Sequence, residues 1–128
     1  AYTVYPRLLI VDDHPMNRKI LSKLLEKRNI PCDVVTNGRE ALTACLEKEY
    51  DIVFMDCQMP VMDGYESTAQ IRQAEKMKRH TVIIAMTANA MAGDREKCLA
   101  AGMDDYISKP IQPAGIFSMI KKYFPALS

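Results

Sequence analysis

Short apolar runs alternate with longer amphipathic segments five times along this chain of 128 residues, and this alternation limits the possible folds more than any other feature. The first run, LLIV at 8–11, contains no polar residue, which is typical of a strand that is covered on both faces. The other runs are 32–35, 52–55, 81–86 and a fifth centred on Tyr106 and Ile107. Strands that alternate with helices predict an α/β protein, with a parallel sheet between two layers of helices.

Residues that begin or end helices stand between the strand-like runs. Pro15 and Pro113 suit the first turns of the first and last helices. Asn37 and Asn89 are predicted to cap the second and fourth helices, and Gly102 is predicted to end the fourth. The first helix carries five apolar residues that helical spacing predicts on one stripe: Met16, Ile20, Leu21, Leu24 and Leu25.

The composition is that of an ordinary soluble domain, with 48% hydrophobic and 26% charged residues. Seventeen basic and sixteen acidic side chains leave a net charge of +1, so we expect no contact with nucleic acid or membrane. The four cysteines form no C-x-x-C pair, which favours reduced thiols and a cytoplasmic location. We expect one domain over 7–128, preceded by an N-terminal arm or linker at 1–6.

Polar side chains follow four of the five predicted strands at the points where the strands end. In chain order they are Asp12, Asp13, Asp56, Thr87, which Ala88 follows, and Lys109. The acids follow the first and third strands, the hydroxyl residue the fourth and the lysine the fifth. In open α/β sheets, ligands bind beyond the carboxyl ends of the strands. The sequence therefore predicts three carboxylates, one hydroxyl and one ammonium group at one edge of the sheet.

Three carboxylates at one edge repel one another, because two unit charges about 5 Å apart cost roughly 3 kcal/mol at an effective dielectric constant of ~20. A hard cation offsets that cost, and Mg²⁺ prefers oxygen ligands in octahedral geometry. We expect Asp13 and Asp56 to be direct ligands and Asp12 to act through water, while Lys109 balances the remaining charge. Mn²⁺ suits the same oxygen ligands. A single acid at a strand end is more often a solvated turn residue, but the whole set favours a site.

Four runs resemble the receiver domain of two-component response regulators: LLIVDD, DIVFMDCQMPVMDG, IIAMTAN and DDYISKP. They stand in the order and at the intervals of that family, and the resemblance covers 7–124. It implies a flavodoxin-like (βα)5 fold, a doubly wound parallel sheet of five strands in the order 2-1-3-4-5. It also implies that Asp56 accepts a phosphoryl group from a phosphohistidine. The Mg²⁺ ligands that it implies are Asp12, Asp13, Asp56 and the backbone carbonyl of Gln58.

The same resemblance implies roles for residues around the acceptor. The phosphoryl oxygens are contacted by Thr87, Ala88 and Lys109, and the Lys109–Pro110 peptide bond is cis. Thr87 and Tyr106 form the conformational switch, and Gln58 and Asn89 influence the lifetime of the phosphoryl group. Because an acyl phosphate hydrolyses spontaneously, we expect a timed switch that assists its own phosphorylation and dephosphorylation. We expect no turnover of small molecules by the isolated domain.

The resemblance further implies a docking face for a histidine-bearing partner, a histidine kinase or a histidine phosphotransfer domain. This face comprises the start of the first helix and the loop after the fifth strand, with Met16, Asn17, Ile20, Pro110 and Ile111. Helical spacing is about equally compatible with Ile20 as a core residue. We expect the domain to be a monomer.

The segment TANAMAGDREKCLAAGMDDYISKPI is most similar to receivers fused to hybrid sensor histidine kinases. We therefore expect the C-terminal receiver module of such a kinase, whose parent protein could be membrane-anchored, and a free-standing single-domain regulator is the alternative. Only 19 residues follow Lys109, so we expect no attached DNA-binding domain. A phosphatase with an aspartyl-phosphate intermediate is disfavoured because such enzymes use D-x-D, whereas Cys57 and Gln58 follow Asp56. The intact acids, threonine and lysine argue against a degenerate receiver that serves only as a scaffold.

Overall fold

Five parallel strands form one sheet in the computed structural model, which describes residues 5–76, 78–88 and 92–125. The strands are β1 (Leu8–Val11), β2 (Cys32–Val35), β3 (Ile52–Asp56), β4 (Val82–Thr87) and β5 (Asp105–Ser108). Their order across the sheet is β2-β1-β3-β4-β5, and every neighbouring pair is parallel. The predicted fold class and strand order are therefore confirmed.

Five helices alternate with the strands in the described residues: α1 (Pro15–Glu26), α2 (Gly38–Glu47), α3 (Gly64–Glu75), α4 (Ala92–Ala101) and α5 (Pro113–Tyr123). Pro15 and Pro113 occupy first turns, as predicted. The predicted cap at Asn37 is also confirmed, because its side chain accepts a hydrogen bond from the backbone N–H of Glu40 at 2.9 Å. The predicted cap at Asn89 lies outside the described residues. No helix in the part of the chain that the structure describes has the length and apolarity needed to cross a bilayer.

The sheet separates two apolar layers, because successive side chains of a strand point to opposite faces. Leu9 and Val11 of β1 join a cluster with residues of α2, α3 and α4. Leu8 and Ile10 of the same strand join a second cluster with α1 and α5. Because both faces are covered, β1 and β3 are buried throughout their length, which explains why their sequences contain no alternation of polar and apolar residues.

The apolar stripe predicted for α1 is divided between the core and the surface. Leu21 and Leu25 are buried and Leu24 packs against the same cluster, but Met16 is 65% exposed and Ile20 is 47% exposed. The residues that pack inward lie at positions 21, 24 and 25, and a step of about 100° per residue places position 20 about 90° and position 16 about 130° from the centre of that face. Ile20 is therefore a surface residue, which decides between the two alternatives that the spacing allowed.

Candidate functional site

Three carboxylates meet at the carboxyl ends of β1 and β3, which are neighbours in the sheet. Asp56 is the last residue of β3, and Asp12 and Asp13 directly follow β1. One carboxylate oxygen from each lies within 4.8 Å of the other two. Asp12 and Asp56 are buried, and Asp13 is half-buried. The predicted convergence of these acids is confirmed.

The first turn of α1 holds Asp12 in place. One oxygen of its carboxylate accepts a hydrogen bond from the backbone N–H of His14 at 2.9 Å, and the other accepts one from the side chain of Asn17 at 3.3 Å. Arg18 donates to the backbone carbonyl of Asp12 at 2.8 Å. Asp13 has no hydrogen-bond or ion-pair partner within the described ranges, so its carboxylate is available to a ligand.

Lys109 supplies the positive charge of the site. Its Nζ lies 3.1 Å from Oδ2 of Asp56 and 3.6 Å from Oδ2 of Asp12. The backbone N–H of Lys109 donates to the carbonyl of Thr87 at 2.8 Å, which ties the loop after β5 to the end of β4. The following peptide bond, Lys109–Pro110, is cis, as predicted.

Burial makes the charge of Asp56 costly. Loss of hydration raises the pKa of its carboxyl group above the ordinary value, and the nearby ammonium group of Lys109 only partly offsets that rise. The carboxylate of Asp12 adds a smaller repulsion that raises the same pKa, and the N–H of Gln58 donates to Asp56 at 3.3 Å. Three acids with one lysine leave an excess of negative charge at this edge, and a cation would neutralise it.

An open cavity of about 240 Å³ lies above the acids. Its lining includes Asp13, Asp56, Gln58, Thr87, Ala88 and Lys109. A group that binds to an oxygen of Asp56 in this cavity therefore lies beside the hydroxyl of Thr87 and the ammonium group of Lys109. The structure thus brings together the residues predicted for this edge, except Asn89, which lies outside the described residues.

Comparison with known proteins decides the family. The model of the response regulator receiver domain matches residues 8–121. The chain belongs to this family. Hybrid signal transduction histidine kinase G of Dictyostelium discoideum is 45% identical over 121 residues, which are 93% of this chain and 4% of that kinase. The sensor histidine kinase GacS of Pseudomonas protegens is 42% identical over 120 residues, 92% of this chain and 13% of that protein. The receiver therefore spans only a small part of the curated relatives that it matches.

Solved receivers have the same fold. One is the receiver domain of the response regulator Ssk1 of Saccharomyces cerevisiae, which was crystallised with the histidine phosphotransfer protein Ypd1. It superposes with a TM-score of 0.87 and 34% identity, over 94% of this chain and 91% of that one. The receiver domain of the sensor histidine kinase PA1611 from Pseudomonas aeruginosa has a magnesium ion coordinated in its active-site cleft. It superposes with a TM-score of 0.84 and 38% identity, over 94% of this chain and 98% of that one.

The donor set of this receiver fits a magnesium ion. The three converging carboxylates are hard oxygen ligands, and Asp13 and Asp56 both line the open cavity, where an ion could keep several water ligands. The carbonyl of Gln58 belongs to a residue of the same lining. Mg²⁺ requires oxygen ligands around a space that water can reach. The group of three acids contains no histidine or cysteine, which are the softer ligands.

The two predicted switch residues lie on neighbouring strands. Ala85 of β4 pairs with Tyr106 of β5, and Thr87 pairs with Ser108. Residues two apart on a strand share a face, so Thr87 and Tyr106 stand on the same side of the sheet. Tyr106 is half-buried, and it packs against the apolar cluster that α2, α3 and α4 cover.

Residues of α3 and α4 that the sequence did not predict also shape the site. Asp94 lines the cavity and accepts a hydrogen bond from the hydroxyl of Thr87 at 3.4 Å. Gly64 lets α3 begin against the end of β3, since a Cβ there would overlap the backbone carbonyl oxygen of Asp56. The sequence signals that could have found them are an Asp-Gly dipeptide at 63–64, which is typical of a turn, and an acid at position 94 in the first turn of α4.

The predicted docking face is divided between exposed and anchored residues. Met16, Ile20 and Pro110 are exposed, so they are available to a partner. Asn17 is half-buried and bonded to Asp12, and Ile111 packs against the cluster of α1 and α5. The exposed part of this face therefore lies on α1 and at the start of the loop after β5.

Proposed function

We propose that this receiver takes a phosphoryl group from a phosphohistidine of a partner protein onto Asp56, and then passes it on or changes conformation. The observation that carries this proposal is the position of Asp56. Its buried carboxylate lies 3.1 Å from Lys109, within 4.8 Å of two further acids, and at an open cavity. That arrangement suits a nucleophile whose incoming group is strongly anionic.

The proposed transfer uses one carboxylate oxygen of Asp56. This oxygen attacks phosphorus, a P–O bond forms, and the P–N bond of the phosphohistidine breaks with its electron pair left on the imidazole nitrogen. Lys109 and the hydroxyl of Thr87 stabilise the phosphoryl oxygens through charge-assisted hydrogen bonds, together with the backbone of Ala88. When bound, Mg²⁺ would neutralise negative charge on the phosphoryl oxygens and align them with the acceptor.

In this proposal, Asp13 and Asp56 bind the metal directly with the backbone carbonyl of Gln58, and Asp12 acts through water. The cavity supports this division, because Asp13 and Asp56 line it, whereas Asp12 is buried and is not among its lining residues. Mn²⁺ would serve as a substitute, since it accepts the same oxygen ligands. Gln58 and Asn89 are proposed to influence how fast water hydrolyses the acyl phosphate.

We further propose that this domain, over 7–128, belongs to a hybrid histidine kinase and exchanges phosphoryl groups with a histidine phosphotransfer protein. The hybrid kinases among the relatives support that context, and the Ssk1 receiver bound to Ypd1 supports that partner. In this arrangement residues 1–6 form the preceding arm or linker. The domain acts as a monomer on the cytoplasmic side, and the parent protein supplies any membrane anchor.

Phosphorylation by a small donor tests the acceptor directly. Incubation with acetyl phosphate and Mg²⁺, followed by intact mass spectrometry, should show one added phosphoryl group. Asp56→Asn should remove the adduct, and EDTA should suppress it in the wild type. Asp51→Asn, which changes an exposed acid at the opposite end of β3, is the matched control and should retain the adduct. An adduct that persists in Asp56→Asn would refute the assignment of the acceptor.

A further inference from the structure

Two cysteines lie in contact beside the Asp56 site, and the phosphoacceptor chemistry does not use them. Cys57 directly follows β3, and Cys98 lies in α4. Their Sγ atoms are 3.9 Å apart, so that one thiol donates a hydrogen bond to the other. They stand 41 positions apart in the sequence, and both are buried in the apolar cluster that α2, α3 and α4 cover. We call Cys57 and Cys98 the thiol pair.

The thiol pair is close enough to form a disulfide by a small movement. A disulfide has an S–S distance of about 2.05 Å, so the two sulfurs must approach each other by about 1.9 Å. Rotation about the Cα–Cβ bonds of the two side chains moves both sulfurs and contributes to that approach. No other two cysteines among the described residues have their sulfurs in contact. Cys32 packs on the opposite face of the sheet, with α1 and α5, and Cys45 lies in α2.

Cys57 also borders the open cavity, which gives a small reagent access to the thiol pair. Tyr65 lines the same cavity, and its phenolic group hydrogen-bonds with the sulfur of Cys57. Only 2% of Cys57 is exposed, so the opening admits a molecule near the size of water. The carboxylates of Asp13 and Asp56 line the cavity as well and repel an anionic oxidant such as oxidised glutathione. Hydrogen peroxide is small and neutral, so it meets neither barrier.

We propose that the thiol pair is a peroxide-sensitive site whose disulfide slows phosphoryl transfer to Asp56, a role that rests on the function proposed above. The sulfur of Cys57 attacks one oxygen of hydrogen peroxide, the O–O bond breaks, and the departing hydroxide leaves as water with the thiol proton. The sulfur of Cys98 then attacks the resulting sulfenic acid, so that an S–S bond forms and the S–O bond breaks to release a second water. The two thiols together lose two electrons, and one peroxide is reduced to two water molecules.

Burial makes the first step slow. It raises the pKa of the Cys57 thiol to about 12, and the thiolate is the form that attacks peroxide. The reduced thiol pair therefore survives a brief exposure and responds to sustained oxidation. Disulfides in a reducing compartment are usually transient, because cellular thiols reduce them again. The site is accordingly suited to a slow and reversible response.

A bond at Cys98 restricts the helix that contacts Thr87. Asp94 and Cys98 are four residues apart in α4, so they lie on the same side of that helix. Asp94 accepts a hydrogen bond from the hydroxyl of Thr87 at 3.4 Å. The disulfide ties this side of α4 to the end of β3, and it thereby keeps Asp94 beside Thr87. The hydroxyl of Thr87 then turns less readily toward an incoming phosphoryl group, so Asp56 accepts that group more slowly.

The test is prolonged treatment of the reduced chain with hydrogen peroxide, which catalase then removes. Alkylation of the denatured protein should count four free thiols before treatment and two after it. Proteolysis without reduction should yield one cross-linked peptide that contains Cys57 and Cys98. Labelling by acetyl phosphate and Mg²⁺ should become at least about fivefold slower, which is the lower end of typical coupling between two sites. Dithiothreitol should restore the thiols and the rate, whereas methionine sulfoxide needs its own reductases.

Cys98→Ser is the matched variant, because it keeps the size of the side chain and removes the second sulfur. It should give no cross-linked peptide, and peroxide should change its labelling rate less than twofold. Cys98→Ala replaces it should the serine variant fold poorly by circular dichroism. Cys32→Ser removes a thiol on the other face of the sheet. It should lose two thiols to peroxide and become slower, as the wild type does.

Four results would overturn the proposal. The wild type could keep all its thiols, the cross-link could form through Cys32 or Cys45, peroxide could slow Cys98→Ser as much as the wild type, or the disulfide could leave the labelling rate unchanged. Labelling of the reduced wild type is scored separately. A reduced chain that accepts no phosphoryl group refutes the proposed function, whereas the thiol count and the cross-linked peptide still decide whether the thiol pair reacts with peroxide.

Discussion

The chain contains two partly buried clusters of charge that are built in opposite ways. One is the Arg72 network, which comprises Arg72, Glu75, Thr81, Gly102 and Asp104. Arg72 donates to the carbonyls of Gly102 at 2.9 Å and Thr81 at 2.7 Å, and it pairs with Glu75 and Asp104 at 2.8 Å each. The N–H of Thr81 donates to Glu75 at 2.8 Å. Each charged group in this network therefore has partners within the protein.

The other cluster is the Asp56 site, where three acids face one lysine. Lys109 contacts Asp56 and Asp12, and Asp13 has no partner in the described chain. The Arg72 network and the Asp56 site differ in whether all their charged groups have partners within the described protein. Every charged group of the Arg72 network is paired within the protein, and the network joins α3 to the start of β4 and to the loop before β5, so it stabilises the fold. The Asp56 site has an excess of negative charge beside open space, so it costs stability until a cation arrives.

The largest expected effect on stability comes from breaking the Arg72 network. Arg72→Met should lower the free energy of unfolding by about 3 kcal/mol, because it leaves two acids and two carbonyls without their donor. Arg72→Lys should recover only part of the loss, since an ammonium group lacks the planar fork that reaches all four partners. Urea denaturation measures both, and Arg39→Met, at an exposed position, should cost less than about 0.5 kcal/mol. Equal losses at the two positions would contradict the role of the network.

Addition of Mg²⁺ should stabilise the protein through the Asp56 site alone. At a Mg²⁺ concentration ten times the Kd, the wild type should gain about 1.4 kcal/mol of stability, because only the folded chain brings the carboxylates together. Asp13→Asn and Asp56→Asn should each reduce that gain, and EDTA should reverse it. Thermal denaturation with and without Mg²⁺ measures the effect. The Arg72 variants should still respond to Mg²⁺, and a gain that survives in Asp56→Asn would place the ion elsewhere.

Neutralising Asp56 should stabilise the metal-free protein. Asp56→Asn removes one of three mutually repelling charges and also one partner of Lys109, so we expect a net gain of about 1 kcal/mol at neutral pH. In the Arg72 network the corresponding change, Asp104→Asn, should lower stability. Urea denaturation in EDTA compares the two variants. A loss of stability in Asp56→Asn would mean that its contact with Lys109 outweighs the repulsion.

The smallest expected effect is a change in pH dependence. Burial raises the pKa of Glu75, but hydrogen bonds from Thr81 and Arg72 outweigh burial and hold the pKa below its ordinary value. An acid whose pKa is lowered on folding adds stability above its unfolded pKa and loses it as the pH falls through its folded pKa. Below about pH 4.5 the wild type should therefore lose stability more steeply than Glu75→Gln. Denaturation between pH 3 and 6 measures the slopes, and equal slopes in the two proteins would contradict the role of these hydrogen bonds.

Much of the fold was predictable because it depends on local patterns. A few consecutive residues are enough to specify the apolar runs of β1 and β3 and the cap at Asn37. Each was found where it was expected. The strand order came from the resemblance to the family rather than from periodicity. The spacing left Ile20 open between a core and a surface position, because spacing within one helix does not determine how that helix is rotated against the sheet.

The functional edge was predictable for a different reason. In a parallel sheet every strand ends at the same edge, so the residues that follow the strands must meet once the strands are recognised. Asp12, Asp56 and Lys109 were found in this way. Asp94 and Gly64 were not, because their contacts with Thr87 and with the end of β3 depend on where α3 and α4 pack.

The amino-acid sequence alone determined the class of fold and the sheet edge at which Asp12, Asp56 and Lys109 meet. Both follow from short-range order in residue type, whereas the acceptor role of Asp56 is implied by the resemblance to the family and stays a proposal. The tertiary structure decided which charged side chains are paired within the protein and which face open space. The partners of Arg72 stand up to 32 residues away, and the free face of α1 is defined by what the other elements do not cover. Such relations depend on packing in three dimensions, which no local pattern contains.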